Sequence, residues 1–381
     1  MRRPDHRLAI ASLIAVVWLV PAVDVAAGET VFRVTLSDPV APEAPPRQYD
    51  VVARNDPGGS PAGYRLTVHL NVCTEGLCRM ANVTLYWDAL GHYERLDCPA
   101  HTPLTRRQHD PFTDEDYLKL DRILGNRESI LGRLAYTALV EEKPHPDEQA
   151  ASLDGWSGAT PQTVADSVVE GAAFTTWALW HWVNGEIVPH LRDSTVERAT
   201  PEFVRRLLRS EQPRQVGFAL RHLLEPHQGN ERLVDDVFHA MENTRQLAYV
   251  ALALDFVIGA VNDERRLDDR LIASFRRLDD STSRPLLEYF ASRTAPPVKT
   301  LEGLSAALGE LPYFQVHRIL LLLEKQEGSA TVEANVARLL DHENFFIARR
   351  AYEHLRKHAS DDLTLQRLTA FRDQHADRLR N

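Results

Sequence analysis

The sequence predicts an α+β protein in which a strand-rich N-terminal region is followed by an all-α region. Two observations support this division. Short runs with alternating apolar residues fill residues 30–96, and after about residue 198 only short amphipathic helices remain. The 381 residues are enough for two hydrophobic cores. We therefore expect one domain over residues 28–185 and a second over residues 198–381.

The first 27 residues are typical of an export signal. A positively charged "MRRPDHR" precedes thirteen apolar residues at 8–20, and small residues at 25–27 form a cleavage site before Gly28. Thirteen residues fall short of the roughly 20 that a membrane-spanning helix needs, so an uncleaved anchor is the weaker alternative. We expect a periplasmic or otherwise exported protein that is soluble after cleavage of residues 1–27.

Composition and charge narrow the function classes. With 44% hydrophobic and 26% charged residues the chain is of ordinary globular type, and its net charge of -10 includes no basic stripe. Nucleic acid is therefore not expected as a partner. Cys73 and Cys78 bracket "TEGL" between two strand-like runs, which favours a cross-hairpin disulfide over free buried thiols in an oxidising compartment. Cys98 is then unpaired, and no Cys-x-x-Cys-His motif for c-type haem occurs.

Local patterns place the elements of the first region. Four strands are predicted at "TVFRVTL", "QYDVVA", "YRLTVHLNV" and "ANVTLYW", joined by turns rich in proline and glycine. A helix is predicted over 110–126, capped by Thr113 and ended by Gly125, and a polar loop follows at 141–155. A second helix is predicted from Pro161 to about Val183. Its apolar face carries Val164, Val168, Ala172, Leu179 and Val183.

The second region contains an internal repeat. The 21 residues from Val204 align without gaps on those from Val336, with eight identities at a shift of 132 residues, which equals four repeats of 33. Intermediate copies at 237–256 and 301–323 each read as an apolar helix, a polar turn and a second apolar helix. The pattern resembles a HEAT-like α-solenoid, in which each helical hairpin buries its apolar face by stacking on the next.

One sequence motif indicates a chemical function. Asp154-x-x-Ser157-Gly158-Ala159-Thr160 resembles the flavinylation signature D-x-x-[ST]-G-A-T of exported FMN-binding domains, such as the one in the C subunit of the sodium-pumping NADH:quinone oxidoreductase. In that family a periplasmic flavin transferase, using FAD and magnesium, esterifies the last threonine with the phosphate of FMN. The resemblance implies an FMN-binding-like domain with FMN bound covalently to Thr160 through a phosphoester.

The residue types around Thr160 are compatible with that chemistry. Proline is favoured at the first position of a helix, so Thr160 before Pro161 falls at an N-cap, and a phosphate there lies at the positive end of the helix dipole. Gly158 and Ala159 leave room for a bulky group, and Asp154 can accept backbone hydrogen bonds or help the transferase bind metal. The alternative is an ordinary threonine cap that contributes about 1 kcal/mol to one helix.

Aromatic and histidine side chains are candidates for contact with the flavin. Trp156 lies inside the motif and is the first candidate. Trp177, Trp180 and Trp182 follow on the next helix, where aromatic residues at helical spacing are more typical of a core. His181 and His109 are nearest in sequence and could hydrogen-bond to the flavin carbonyls, although a structural role is the more common one.

Two other site types are disfavoured. His354 and His358 have the i, i+4 spacing of metal ligands, but His222 occupies the equivalent repeat position, which favours a packing or surface role. "GWSGA" approaches the Gly-x-Ser-x-Gly elbow of serine hydrolases, but no apolar strand precedes Ser157.

Together these features favour an exported electron-transfer flavoprotein rather than a stand-alone enzyme. Its expected partners are a periplasmic flavin transferase and a membrane-associated redox protein, to which the helical repeats would dock it. The alternative is a periplasmic scaffold that binds protein partners and carries no cofactor.

Overall fold

The computed structural model describes residues 28–70, 81–106, 109–135, 165–227, 230–326 and 329–379. It confirms the α+β prediction, because an antiparallel sheet of five strands precedes a helical region. The strands follow one another in the sheet in chain order. Their bounds are β1 Glu29–Leu36, β2 Arg47–Asn55, β3 Pro61–Leu70, β4 Ala81–Asp88 and β5 Tyr93–Asp97.

The sheet has one buried and one exposed face, as the period-2 pattern of its strands requires. Along β4 buried residues alternate with half-buried ones, and Val83, Leu85 and Trp87 are fully buried. The four predicted strands are confirmed, whereas β5 was not predicted. It forms because Asp88 accepts hydrogen bonds from the backbone N–H groups of Leu90 and His92, at 2.8 and 2.9 Å, and thereby closes the turn back onto β4.

Helix α1, Asp114–Gly125, confirms the helix predicted over 110–126. Thr113 caps it, and the side chain of Asp116 accepts a hydrogen bond from the Thr113 backbone N–H at 2.8 Å. These two reciprocal bonds form a capping box, which satisfies backbone donors that the first helical turn leaves without partners.

The single helix predicted from Pro161 to about Val183 is wrong. Residues 165–166 are helical, the chain then turns, and helix α2 begins only at Ala173 and ends at Asn184. Gly171 lies in the turn with a φ of 71°, a conformation that costs glycine little. The hydroxyl of Thr176 accepts a hydrogen bond from the backbone N–H of Val169, at 3.1 Å, and holds this turn over the start of α2.

Helix α2 and the next helix, α3, Ile187–Arg198, share a core with the buried face of the sheet. The indole N–H of Trp87 donates to the carbonyl oxygen of Val183 at 2.9 Å, and the hydroxyls of Tyr64 and Thr195 lie 2.6 Å apart. These buried hydrogen bonds fix both helices against the sheet.

The helical region continues from Pro201 to Leu379. Its helices are α4 Pro201–Leu208, α5 Pro213–Phe218, α6 Val234–Asn243, α7 Leu247–Ala260, α8 Glu264–Ser274, α9 Arg284–Ser292, α10 Val298–Ala307, α11 Tyr313–Leu323, α12 Ala330–Arg338, α13 Phe345–His358, α14 Asp362–Gln374 and α15 Ala376–Leu379. A π-helical turn, Ala219–Leu223, extends α5. Within the described ranges, no helix combines the length and the apolar character needed to cross a membrane.

These helices pack in a repeating manner. Helix α8 contacts α10, α10 contacts α12 and α12 contacts α14, while α7, α9, α11 and α13 contact one another in the same stepwise order. Helix α4 and helix α12 are therefore four hairpins apart, which agrees with the shift of four repeats. Val204 and Val336 occupy equivalent positions of the first and last of these repeats. Both side chains are fully buried.

Direct contacts join the sheet to the helical region. The Ser60 hydroxyl lies 3.0 Å from the Thr200 hydroxyl at the start of α4, and Arg206 on α4 forms an ion pair with Asp56 at 3.0 Å. The β4–β5 turn contributes Leu90 to the core of the helical region. The first helical hairpin is thus attached to the loops at one end of the sheet.

Candidate functional site

The six residues of the predicted flavin site lie outside the described residues. They are Asp154, Trp156, Ser157, Gly158, Ala159 and Thr160. The described chain stops at residue 135 and resumes at residue 165, so the structure defines the two attachment points of the segment that carries the motif.

Both attachment points are held by helices α1 and α2. At the first, the carbonyl oxygen of Leu134 accepts a hydrogen bond from the indole N–H of Trp177 at 2.8 Å. At the second, the carbonyl oxygen of Ala165 accepts a hydrogen bond from the ammonium group of Lys119 at 3.1 Å. The segment between them therefore starts and ends on the same two-helix layer beneath the sheet.

Three tryptophans and a histidine crowd helix α2, and we call Trp177, Trp180, His181 and Trp182 the tryptophan cluster. All three indole side chains are buried. Trp180 donates its N–H to the carbonyl oxygen of Asn126 at 2.9 Å and lies against Gly132, where a Cβ atom would come within 2.7 Å of the ring. The cluster thus holds residues 126–134 against α2, which is the core role expected of aromatics at helical spacing.

His181 lies between two of these rings. Its ring centroid is 4.2 Å from that of Trp177 and 5.0 Å from that of Trp180. Its Nε2 atom is 3.1 Å from the carbonyl oxygen of Leu131, so Nε2 carries the proton and donates it. Burial lowers the pKa of His181, which keeps the ring neutral near pH 7. The N–H of the neutral ring is therefore already used, and Nδ1 is left as an acceptor rather than as the donor proposed for a flavin carbonyl.

The remaining sequence candidates in the first region do not join this cluster. His109 is exposed, with a φ of 65°, in the short turn closed by the bridge between Thr105 and Pro111. Cys73 and Cys78 lie outside the described residues, so a disulfide between them stays a prediction without support from the structure. Cys98, which lies within the described ranges, is a free cysteine. Burial raises the pKa of the Cys98 thiol to about 11, so this cysteine stays protonated.

Sequence reasoning missed Lys119 as a residue of the site region. It lies on α1, distant in sequence from the motif, and its half-buried side chain reaches the carbonyl oxygen of Ala165, where the described chain resumes. A lysine among the polar positions of an amphipathic helix gives no signal of such a contact, because most lysines at these positions only face solvent.

His354, the metal-ligand candidate of the helical region, belongs to a buried ionic cluster between α11 and α13. Glu324 accepts a hydrogen bond from Arg350 at 2.7 Å and lies 3.8 Å from Nδ1 of His354, while Arg350 also donates to His317 at 3.1 Å. The ring of His358 packs against that of His354, with ring centroids 4.9 Å apart and an angle of 34° between the ring planes. These contacts give His354 a packing role. Among the described residues, no group of three or more His, Cys, Asp and Glu side chains is arranged to hold a metal ion.

The helical region also has a concave surface between its first two hairpins. A pocket of about 300 Å³ lies between the α4–α5 turn and the α6–α7 turn. Its floor is apolar, with Leu208, Val216 and Tyr249, and its rim carries Glu211 and Arg245. An apolar floor with polar groups at the rim is the usual composition of a binding site, and this volume is near the lower limit for ligand pockets.

Comparisons of the chain with known protein families, with curated proteins and with solved structures find no match.

Proposed function

We propose that the protein is an exported flavoprotein that carries FMN covalently on Thr160 and transfers electrons between protein partners. The observation that carries this proposal is the motif Asp154-x-x-Ser157-Gly158-Ala159-Thr160 behind an export signal. When bound, FMN would supply one- and two-electron exchange. The chain contributes the position of the flavin and the surfaces that bind its partners.

The attachment points of the segment support this proposal. Thr160 is five residues before Ala165, so the backbone between them spans at most about 18 Å. The Lys119 ammonium holds the Ala165 carbonyl oxygen at that end, and Trp177 holds the Leu134 carbonyl oxygen at the other. A group attached to Thr160 is thereby kept near the α1–α2 layer, which would limit the distances over which the flavin could move between its partners.

The attachment of FMN to Thr160 would be the transfer of the FMN phosphoryl group from FAD to the threonine hydroxyl. The Thr160 hydroxyl oxygen would attack the FMN phosphorus of FAD, the bond from that phosphorus to the bridging oxygen would break, and AMP would leave. No oxidation or reduction occurs in this step. A flavin transferase must therefore act on the exported chain, because the step requires both FAD and a group that activates the hydroxyl.

We propose that the helical region is a HEAT-like α-solenoid that docks the flavin domain to its partners. The two stepwise series of helix contacts support this architecture. Polar contacts also join successive hairpins: Asp236 on α6 pairs with Arg205 on α4, at 3.0 Å, and Asn335 on α12 donates to Ser305 on α10, at 3.0 Å. At these two junctions, neighbouring hairpins are thus joined by polar contacts in addition to apolar surface.

A second candidate function is a cofactor-free scaffold. The pocket between the first two hairpins favours it, as do three aromatic side chains at the N-termini of α11 and α13. Tyr313 and Phe314 are each 42% exposed and Phe346 is 65% exposed, which is unusual for side chains of this size. In a scaffold, these surfaces would bind protein partners while the sheet domain served as a support.

Mass spectrometry distinguishes the flavoprotein proposal from the scaffold proposal. The protein is exported in cells that contain a periplasmic flavin transferase, and the peptide with residues 154–163 is sequenced. We expect one FMN on Thr160, its loss in Thr160→Ala, and its retention in the matched variant Thr163→Ala. An unmodified Thr160 in a colourless protein, without absorbance at about 450 nm, would overturn the flavoprotein proposal and favour the scaffold.

A further inference from the structure

Strand β1 is an exposed edge of the sheet. Within the described residues it pairs only with β2, in one uninterrupted register from Glu29 opposite Arg54 to Leu36 opposite Arg47. Proteins usually protect edge strands with lysine, proline, a bulge or a covering element. Strand β1 contains neither lysine nor proline, its pairing has no bulge, and Val31 near its centre is 63% exposed.

The opposite edge, strand β5, is protected. It has five residues, three of them charged, and its pairing with β4 has a register shift at Trp87. Helix α1 also covers it, and the Tyr93 hydroxyl donates to Asp121 on that helix. The two edges of one sheet therefore differ, and β1 alone has the length and regularity that strand pairing needs.

The charges on the exposed face of β1 are arranged symmetrically about Val31. Glu29 precedes it by two residues and Arg33 follows it by two, so all three side chains point to the same face. If two copies of β1 pair in antiparallel orientation about Val31, Glu29 of each copy lies opposite Arg33 of the other. Opposite charges directly across two strands stabilise the pairing.

The same charge alternation is already present within the sheet. Arg33 pairs with Asp50 on β2 at 3.0 Å, and Glu29 pairs with Arg65 on β3 at 2.6 Å, and all four side chains are solvent-exposed. A second copy in this register would extend the alternation across the edge without placing like charges opposite each other.

A groove of about 440 Å³ lies between β1 and helix α3. Its walls carry groups of both signs, including Arg33, Asp193 and Glu197. Helix α3 runs antiparallel to β1, since Glu186 at its start accepts from the Ser37 backbone N–H at 2.8 Å. Ile187, Val188 and Leu191 of α3 belong to the core under the sheet, so the helix packs on the buried face, and among the described residues only β2 pairs with β1.

We propose that the protein forms a symmetric dimer in which β1 pairs antiparallel with β1 of a second copy, with Val31 on the two-fold axis. The two sheets would then form one continuous sheet, and two contacts between Glu29 and Arg33 would fix its register. Such an interface is closed, because each copy uses the one edge strand that has no such protection within the described ranges.

Charge reversal tests the register. The mass of the exported, purified protein is measured by sedimentation equilibrium from low to high micromolar concentration. We expect a dimer for the natural chain and at least about tenfold weaker dimerisation for Glu29→Arg and for Arg33→Glu, because each variant places like charges opposite each other twice. An equimolar mixture of the two variants restores opposite charges at both contacts and should dimerise. Circular dichroism of each variant shows that the fold is kept.

Cysteine cross-linking provides an independent readout. Oxidation of Val31→Cys should give a covalent dimer, since position 31 lies opposite itself. Leu118 on α1 is also 63% exposed, so Leu118→Cys is a matched control that should stay monomeric. A natural chain that is monomeric throughout the concentration range, or a dimer that neither charge reversal weakens, would overturn the proposal.

Discussion

We expect the buried ionic cluster between α11 and α13 to make the stability of the helical region depend on pH. Burial, followed by repulsion from His358, lowers the pKa of His354 from 6.5 to about 4, against the attraction of Glu324. Arg350 and Lys357 also oppose its protonation. His354 is only 4% exposed, and its Nδ1 atom has no hydrogen-bond partner among the described residues, so no contact favours the charged ring strongly enough to offset burial.

The direction in which the free energy of unfolding changes with pH follows from the number of protons that each state binds. Between the folded and unfolded pKa values of His354 the unfolded chain binds more protons, so the free energy of unfolding falls as the pH falls from about 7 towards 4. With a folded pKa of about 4, this single residue accounts for a loss of about 2 kcal/mol between about pH 7 and pH 5.

Urea unfolding of His354→Gln, followed by far-ultraviolet circular dichroism at both pH values, checks this magnitude. The variant has no titrating ring, so we expect it to lose about 2 kcal/mol less than the natural chain on acidification. His358→Gln, one turn along the same helix and exposed, should keep most of the pH dependence. Equal losses in the natural chain and in His354→Gln would refute the assignment of the effect to His354.

Two further predictions concern local structure. Thr113→Ala removes the hydroxyl half of the capping box of α1 and should lower the free energy of unfolding by about 1 kcal/mol; an unchanged urea midpoint for the sheet domain would count against the cap. Gly217→Ala places a Cβ atom 2.1 Å from the hydroxyl of Tyr249 and should cost about 1–3 kcal/mol, whereas Gly309→Ala, with nothing within 4 Å, should be close to neutral. Thermal unfolding of the two alanine variants compares them directly, and equal midpoints would contradict the close packing at Gly217.

Local patterns in the sequence were sufficient to predict much of the fold. The four predicted strands and α1 follow from alternation and capping, which depend on neighbouring residues only. The repeat was visible from Val204 and Val336, because these positions are buried in the same way on equivalent helices. The α8–α9 hairpin was not identified as a copy, since stacking conserves burial and helix length rather than residue identity.

The predictions failed in segments whose backbone conformation is determined by tertiary contacts. Strand β5 has too many charged residues to show alternation, and pairing with β4 determines its conformation. The break before α2 interrupts an apolar pattern at helical spacing, and it depends on the hydrogen bond from the Val169 N–H to the Thr176 hydroxyl and on the conformation of Gly171. The core role of Trp177 and Trp180 agrees with the expectation for aromatic residues at helical spacing, but their hydrogen-bond partners Leu134 and Asn126 could not be predicted, because the sequence does not place those residues next to α2.

The proposed attachment of FMN to Thr160 is tested most directly by the intact mass of the protein, expressed with its own N-terminal segment and purified from cells with and without a periplasmic flavin transferase. We predict an increase equal to one FMN less one water when the transferase is present, and no increase for Thr160→Ala. The same mass in both preparations, or an adduct that persists in Thr160→Ala, would contradict the assignment of Thr160 as the flavin attachment residue.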